Sequence, residues 1–293
     1  MGGYLMTDQR GRLVVVTGAA SGIGQATAAE LRRQGAAIIG VDLLDADILA
    51  DLSTPDGRSS ALDAISGLAP NGIDAIVTCA GIGGGSGANV SSINYFGTVR
   101  MIEGVRPLLA KRRDPRAVVI ASSTAVLPYD AALLNLYLAD DEAGARAYTD
   151  DAVVAYMTGK RALCHWVRRT AVTPDWAGSG LLLNGVAPGL IRTPLTEPTL
   201  ATAEGRALLA QMTPIAVADY PRPDTIAPLI AFLAGPQSAN MVGQIVFTDG
   251  GSDVLIRGEV VATEEGGGRA LDRAYQHAVG VELEEVGAEV QTS

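Results

Sequence analysis

Short runs of consecutive apolar residues alternate along this chain with longer stretches in which apolar residues return every third or fourth position. The runs read as buried strands: Leu13–Thr17, Ala36–Val41, Ile48–Leu52, Ile73–Thr78, Ala117–Ser122, Gly180–Asn184 and Gln244–Thr248. The stretches between them read as helices near Gly22–Gln34, Pro55–Leu68, Val90–Arg112, Asp151–Val172 and Asp224–Leu233. A strand covered on both faces has no polar side to alternate with, so unbroken apolar runs predict a parallel sheet with helices on both faces. Repeated β-α-β crossovers make such a sheet doubly wound, with ligands at the carboxyl ends of its strands. The predicted fold class is α/β: a doubly wound, mainly seven-stranded parallel sheet of the Rossmann type.

Two stretches break this rhythm. Residues 125–150 hold Pro128, an apolar segment through Leu138, and Asp140-Asp141-Glu142 opening a short helical pattern that ends at Tyr148; they predict an inserted helical lobe. The second follows Asp249-Gly250-Gly251 and carries Glu264-Glu265, three glycines at 266–268, a helix expected at Arg269–Val279 and an acidic end. The expected organisation is an N-terminal arm (1–11), one catalytic domain (12–253) that includes the lobe, and a C-terminal extension (254–293).

Composition narrows the picture. With 48% hydrophobic residues, few aromatics and 35 glycines, small aliphatic side chains must fill the core and close turns must join its elements. A net charge of -10 excludes a nucleic-acid partner of the usual kind, because no basic surface is available to neutralise phosphates. The run Lys111-Arg112-Arg113 reads as the solvated end of a helix. Cys79 and Cys164 have no metal-ligand spacing and read as small apolar core groups in a reducing compartment. His165 adjoins Cys164, but adjacent helical residues do not converge on one ion, and no metal is expected. No segment has the length of a membrane span, and Met1-Gly2-Gly3-Tyr4-Leu5-Met6 lacks the charged and apolar regions of a signal peptide. The expectation is a cytoplasmic protein without a membrane partner.

Chemistry enters at the end of the first strand. Leu13–Thr17 runs into Gly18-Ala19-Ala20-Ser21-Gly22-Ile23-Gly24 and then into a helix. Glycines let the backbone turn tightly and approach a pyrophosphate, which then sits at the positive end of the helix. Eighteen residues past Gly24 the second apolar run ends in Asp42. A carboxylate there can accept both hydroxyls of an adenosine ribose and repel a 2′-phosphate.

The chain holds only two lysines, Lys111 and Lys160, and the latter stands four residues after Tyr156. On a helix those positions share a face, so a phenol and an ammonium reach one small volume. An ammonium can be tuned in pKa and can relay protons, which a guanidinium cannot.

Taken together these residues resemble the short-chain dehydrogenase/reductase family from about Arg12 to about Asp253. Thr17–Gly24 matches its TGxxxGxG, Tyr156 and Lys160 its YxxxK, and Asn184 through Thr193 its N-x-x-x-P-G-x-x-x-T segment. Asp42 to Asp47, Asp51 to Thr54 and Asn94-Tyr95-Phe96-Gly97 are similar to the bacterial 3-alpha-hydroxysteroid dehydrogenase/carbonyl reductase group. The resemblance implies a catalytic set of Asn94, Ser123, Tyr156 and Lys160, with Ser122 a competitor of Ser123. Tyr156 would exchange a proton with the substrate oxygen, Ser123 would bond that oxygen, and Asn94 would hold a water leading from Lys160 to solvent.

For the cofactor the resemblance implies Gly18, Ser21, Gly22, Ile23 and Gly24 at the pyrophosphate, and Asp42 and Leu43 at the ribose. It places Asp51 and Leu52 at the adenine, and Cys79, Ala80 and Gly81 along the cofactor edge. Pro188, Gly189, Ile191 and Thr193 fall at the nicotinamide end, where Asn94, Tyr156 and Lys160 also contribute. No arginine stands in the glycine turn or directly after Asp42, so the cofactor implied is NAD.

Two departures stand out. Thr78-Cys79-Ala80-Gly81 replaces the family's Asn-Asn-Ala-Gly and leaves the bracing of the central strand without its usual amide. Ser123 and Tyr156 stand 33 positions apart, well beyond the family's common interval. The apolar residues of the lobe in that interval serve either as its own small core or as a roof over the substrate pocket, and a roof would favour a bulky apolar alcohol or ketone such as a steroid or cyclic one. A homo-oligomer, dimer or tetramer, is expected. A catalytically silent NAD(H)-binding regulator and an NADPH-dependent 3-oxoacyl-carrier-protein reductase are the competing readings. The first has no use for Tyr156 and Lys160, and Asp42 disfavours the second.

Overall fold

Seven strands, β1 (Leu13–Thr17), β2 (Ala37–Asp42), β3 (Ile48–Leu49), β4 (Ala75–Thr78), β5 (Arg116–Ile120), β6 (Leu182–Pro188) and β7 (Ile245–Thr248), form one sheet. Its order is β3-β2-β1-β4-β5-β6-β7, and every pairing is parallel. Strand order reverses between β1 and β4, so the chain leaves these neighbours toward opposite sides and a crevice opens at their carboxyl ends. The computed structural model describes residues 8–258. By its contacts the chain divides into the units Met1–Ile256 and Arg257–Ser293, and the account below concerns the first. Most of the expected extension, including the helix at Arg269–Val279, lies outside the described residues, as do the first seven residues of the arm.

The helices around the sheet are α1 (Gly22–Arg33), α2 (Pro55–Leu68), α3 (Gly87–Val90), α4 (Thr98–Leu109), α5 (Ala131–Leu138), α6 (Glu142–Tyr148), α7 (Ala152–Ala171), α8 (Glu197–Leu200), α9 (Ala203–Met212) and α10 (Pro223–Leu233). Successive residues of β1 point to opposite faces. Val14 and Val16 pack with Leu31 of α1 and Ile226 and Ile230 of α10. Val15 packs on the other side with Ile65 of α2, Ile102 of α4 and Leu163 of α7. Both faces are covered, which is why the strands read as continuous apolar runs.

Several boundaries differ from the sequence reading for local reasons. β3 stops at Leu49 because Asp51 opens a turn, its carboxylate accepting from the Ser53 N–H at 2.9 Å, and Thr54 caps α2 through the Gly57 N–H at 3.0 Å. β6 starts at Leu182, after Gly180 turns the chain at φ 85°, and continues to Pro188 because β7 pairs along its far end. The helix expected from Val90 begins at Gly87 and passes through a π-helical segment, Ser91–Gly97, before α4. α8 and α9 have no counterpart in the sequence reading. No residue of α9 is buried, so the apolar stripe that marks a core-facing helix is missing.

Residues 125–150 do not stand apart from the domain. Leu133 and Tyr137 of α5 are fully buried and belong to the same cluster as Ile76 and Leu163. Arg58 of α2, only 5% exposed, donates to both oxygens of Glu142 on α6, at 3.2 and 2.6 Å, and to the Leu52 carbonyl at 3.2 Å. Arg146 of α6 reaches the Ser92 hydroxyl at 2.5 Å, and Arg100 of α4 meets Asp140 at 2.6 Å.

Candidate active site

The glycine turn after β1 is tight enough to dictate its residues. Gly18 has φ 69°, and a Cβ on it would lie 2.7 Å from the Ala80 nitrogen. A Cβ on Gly24 would lie 1.9 Å from the Gly18 carbonyl oxygen, so the first turn of α1 rests directly on the loop that precedes it. Ser21 stands at the N-cap but makes no capping hydrogen bond, and no acidic residue occupies the first turn. The N–H groups there are left for an anion. Asp42 at the end of β2 accepts from the Ala20 N–H at 2.9 Å and the Leu43 N–H at 2.7 Å, which ties the carboxylate to the glycine turn.

These groups line a cavity of about 190 Å³. Its walls hold Gly18, Ser21, Gly22, Ile23, Gly24, Asp42, Leu43, Leu52, Cys79, Ala80, Gly81 and Thr193 of the expected cofactor residues. Asp51 is outside this wall, exposed and engaged with Ser53, so of the expected adenine pair only Leu52 reaches the cavity. Gly18 and Gly24 leave a backbone cradle that side chains would fill, and Asp42 faces it from the next strand. The residues fit a dinucleotide.

A second cavity, of about 280 Å³, adjoins the first and shares Ile23, Cys79, Gly81, Thr193 and Leu195 with it. Tyr156 and Lys160 enter it from α7. That helix starts at Asp151, whose carboxylate accepts from the Val153 and Val154 N–H groups at 2.8 and 3.1 Å, and ends with Arg168 and Arg169 in its last turn. Both ends suit the helix dipole. The Lys160 Nζ lies 5.7 Å from the centre of the Tyr156 ring and donates to the Ile120 carbonyl, at the end of β5, at 2.8 Å. Burial lowers the Lys160 ammonium to about 8, with the nearby thiols of Cys164 and Cys79 acting weakly the other way. Burial also raises the Tyr156 phenol, and a hydrogen bond with Ser122 opposes that rise. Cys79 is pushed up to about 12 and Cys164 to about 11, chiefly by burial, so both are neutral thiols and not nucleophiles.

Both serines at the end of β5, Ser122 and Ser123, line this cavity. Ser122 is the one whose hydrogen bonding opposes the rise of the Tyr156 phenol. Ser122 is the extended residue before a 3-10 turn at Ser123–Val126, and it caps that turn by accepting from the Thr124 N–H at 3.2 Å. Its hydroxyl also accepts from the Thr124 hydroxyl at 2.9 Å, whereas the Ser123 Oγ is buried without a partner among the described residues.

Asn94 lies within the π-helical segment and is fully buried. Its amide clamps one residue: Nδ2 donates to the Ile82 carbonyl at 2.8 Å and Oδ1 accepts from the Ile82 N–H at 2.9 Å. The side chain thus holds the loop after β4. The missing amides of that loop are replaced by hydroxyls, since Ala80 N–H donates to the Thr17 Oγ1 at 3.2 Å and Thr78 Oγ1 donates to the Val118 carbonyl at 3.4 Å.

The remaining wall of the larger cavity is apolar over Val153, Met157, Leu190, Leu195, Leu209 and Met212, with Pro188, Gly189 and Ile191 at its base. No residue from 125 to 150 lines it. The lobe is not its roof, because Leu133, Leu134 and Tyr137 face the core. The roof comes from the segment carrying α8 and α9, through Thr196, Thr199, Leu209, Met212 and Thr213. Among the described residues there is no cluster that could hold a metal ion and no helix long and apolar enough to cross a membrane.

A protein-family model described as enoyl-(acyl carrier protein) reductase matches residues 18–253. A 3-alpha-hydroxysteroid dehydrogenase/carbonyl reductase of Comamonas testosteroni is 37% identical over 254 residues, which cover 84% of this chain and 98% of that protein. A cis-4-hydroxycyclohexanecarboxylate dehydrogenase of Sinomonas cyclohexanicum is 31% identical, with 82% and 96% covered. The crystal structure of a 3-alpha-hydroxysteroid dehydrogenase from Pseudomonas sp. B-0831, complexed with NADH, matches with a TM-score of 0.79 and 36% identity over 84% of this chain and 99% of that one.

Proposed function

The chain belongs to the short-chain dehydrogenase/reductase family, and on that premise we propose that it interconverts a bulky, largely apolar secondary alcohol and its ketone with NAD. The observation that carries this reading is the convergence of Tyr156, Ser122 and Lys160 on one apolar cavity beside the cavity that holds Asp42. A steroid or a substituted cyclic alcohol suits that wall, and the names of the Comamonas and Sinomonas relatives point to substrates of this class. Asp42, with no arginine after it, favours NAD over NADP.

Bound nicotinamide would accept the hydride from the alcohol carbon, or return it to the ketone. The protein's task is the accompanying proton. In the oxidation direction Tyr156, as phenolate, takes the proton of the substrate hydroxyl, and Ser122 holds the same oxygen in line. Lys160 is charged below about 8 and stabilises that phenolate across the face they share. Both polar atoms of the Asn94 amide are occupied by Ile82, so a water joining Lys160 to solvent would use the Asn94 main-chain carbonyl in the π-helical segment. Two free thiols fit a reducing compartment such as the cytoplasm, and homo-oligomeric assembly belongs to the same reading.

The test is NADH formation from a hydroxysteroid, a monocyclic alcohol and a sugar alcohol at saturating NAD, with Tyr156→Phe alongside. The apolar alcohols should be preferred, and Tyr156→Phe should lose about 10²–10⁴ in kcat with NAD affinity kept. A preference for the sugar alcohol would reject the substrate class, and an active Tyr156→Phe the mechanism.

A further inference from the structure

The inserted segment supplies one side chain that stands between the two elements carrying the candidate catalytic residues. Tyr137 of α5 is completely buried. Its hydroxyl lies 2.7 Å from the Ser91 hydroxyl, in the π-helical segment that bears Asn94, and 3.3 Å from the carbonyl of Ala155, the residue before Tyr156. The Ser91 hydroxyl also lies 2.8 Å from the Gly87 carbonyl, but each hydroxyl has one proton, so the link to α7 is made when Ser91 donates to Tyr137 and Tyr137 donates to Ala155. The ring is fixed as firmly as the hydroxyl. It packs at 4.8 Å from the ring of Tyr95 and 5.8 Å from that of Phe96, the two residues after Asn94. On its other side α7 passes at Gly159, where a Cβ would lie 3.8 Å from the Tyr137 hydroxyl, next to Lys160.

We propose that Tyr137 is a positioning residue: its hydroxyl ties α7 to the π-helical segment and so sets the placement of Tyr156 and Lys160 relative to Asn94 and the substrate. The inference rests on the functional reading above and deepens it. Burial keeps the phenol neutral, raising it to about 12, so the tie holds at every working pH. Small displacements of reacting groups cost large factors in rate, and a contact of this kind acts on turnover without touching substrate or nucleotide. Helix α6 keeps the lobe seated through Arg146 on Ser92 and Glu142 on Arg58, so the tie has a fixed anchor.

The test uses the full chain and compares Tyr137→Phe, Ser91→Ala and the double variant, all assayed well below their unfolding midpoints. Tyr137→Phe keeps the ring and removes only the hydroxyl. Its kcat should fall about tenfold while substrate KM and NAD dissociation constant stay within about twofold, and the double variant should be no worse than the worse single one. A purely structural role would lower the unfolding midpoint and leave kcat of the folded enzyme unchanged. That result, or a parallel loss of NAD affinity, overturns the proposal. Amide hydrogen exchange gives a second readout that needs no turnover: protection should drop in both 91–97 and 155–160. Loss confined to α5 overturns the tie even if the unmutated protein proves inactive, an outcome that would reject the functional reading instead.

Discussion

Replacing Lys160 by methionine should stabilise the protein at neutral pH while abolishing turnover. Lys160 is 7% exposed; its Nζ donates to the Ile120 carbonyl and lies 5.7 Å from the centre of the Tyr156 ring, and the groups that offset its burial are thiols and not carboxylates. Burial lowers it from 10.5 to about 8, and at ~1.4 kcal/mol per tenfold change the buried charge costs roughly 3 kcal/mol. The sign follows from the two states. Below about 8 the lysine is charged both folded and unfolded, and the full cost is present. Between about 8 and 10.5 the unfolded chain holds the proton and the folded one does not, so stability rises with pH; above 10.5 the cost is gone.

Methionine removes the charge but leaves the Ile120 carbonyl without its donor, at a cost of about 1–2 kcal/mol. The variant should therefore gain about 1–2 kcal/mol at pH 7, and this gain should shrink and reverse by the alkaline end of the window. Urea unfolding at several pH values, followed by the fluorescence of the buried Trp166 and Trp176, measures the difference directly. The two thiols, at 9.0 unfolded and about 12 and 11 folded, lower stability across the alkaline part of this range in parent and variant alike, and so cancel in the difference. A variant less stable than its parent at pH 7, or a difference that does not change with pH, would refute the reasoning.

Asp42→Ala should weaken NAD by roughly tenfold or more and narrow the preference over NADP, since a charged acceptor is lost and repulsion of a 2′-phosphate is relieved. Competition binding with both nucleotides measures this, and equal use of the two by the unmutated protein would contradict it. Ser122→Ala should lower kcat by about ten- to a hundredfold and move Tyr156 ionisation to higher pH, because the bond that opposes its rise disappears. Ser123→Ala should change kcat less than about twofold; a larger effect there than at Ser122 would give the role to Ser123.

What could be read from the chain alone was whatever depends on neighbours in sequence. The glycine turn, Asp42 at a strand end, and the four-residue step from Tyr156 to Lys160 are local patterns, and β1 and α2 were placed residue for residue for the same reason. Ser122 and Ser123 differ only in which of them caps a turn, and composition does not say where a strand stops. The apolar residues of 125–150 were visible as apolar, but not the direction they face: toward the core, through Leu133 and Tyr137, and away from the pocket. α8 and α9 escaped because a helix that covers a cavity has no dry face to leave a period. The hydroxyl bracing by Thr17 and Thr78 joins strands distant in sequence, and only the sheet order brings it into view.

The ion pair between Arg58 and Glu142 makes residues 125–150 costly to remove. A surface loop can lengthen at little cost, and one that makes no contacts can shorten again. Here the guanidinium is buried on α2 and its counter-ion is supplied from the added residues. Excising them would leave that charge unpaired, at about 3–5 kcal/mol, and would open the space filled by Leu133 and Tyr137 as well. Losses of that size approach the whole margin by which a domain is folded. The segment can therefore be trimmed only together with Arg58, and a shortened variant should need an Arg58 replacement to stay folded.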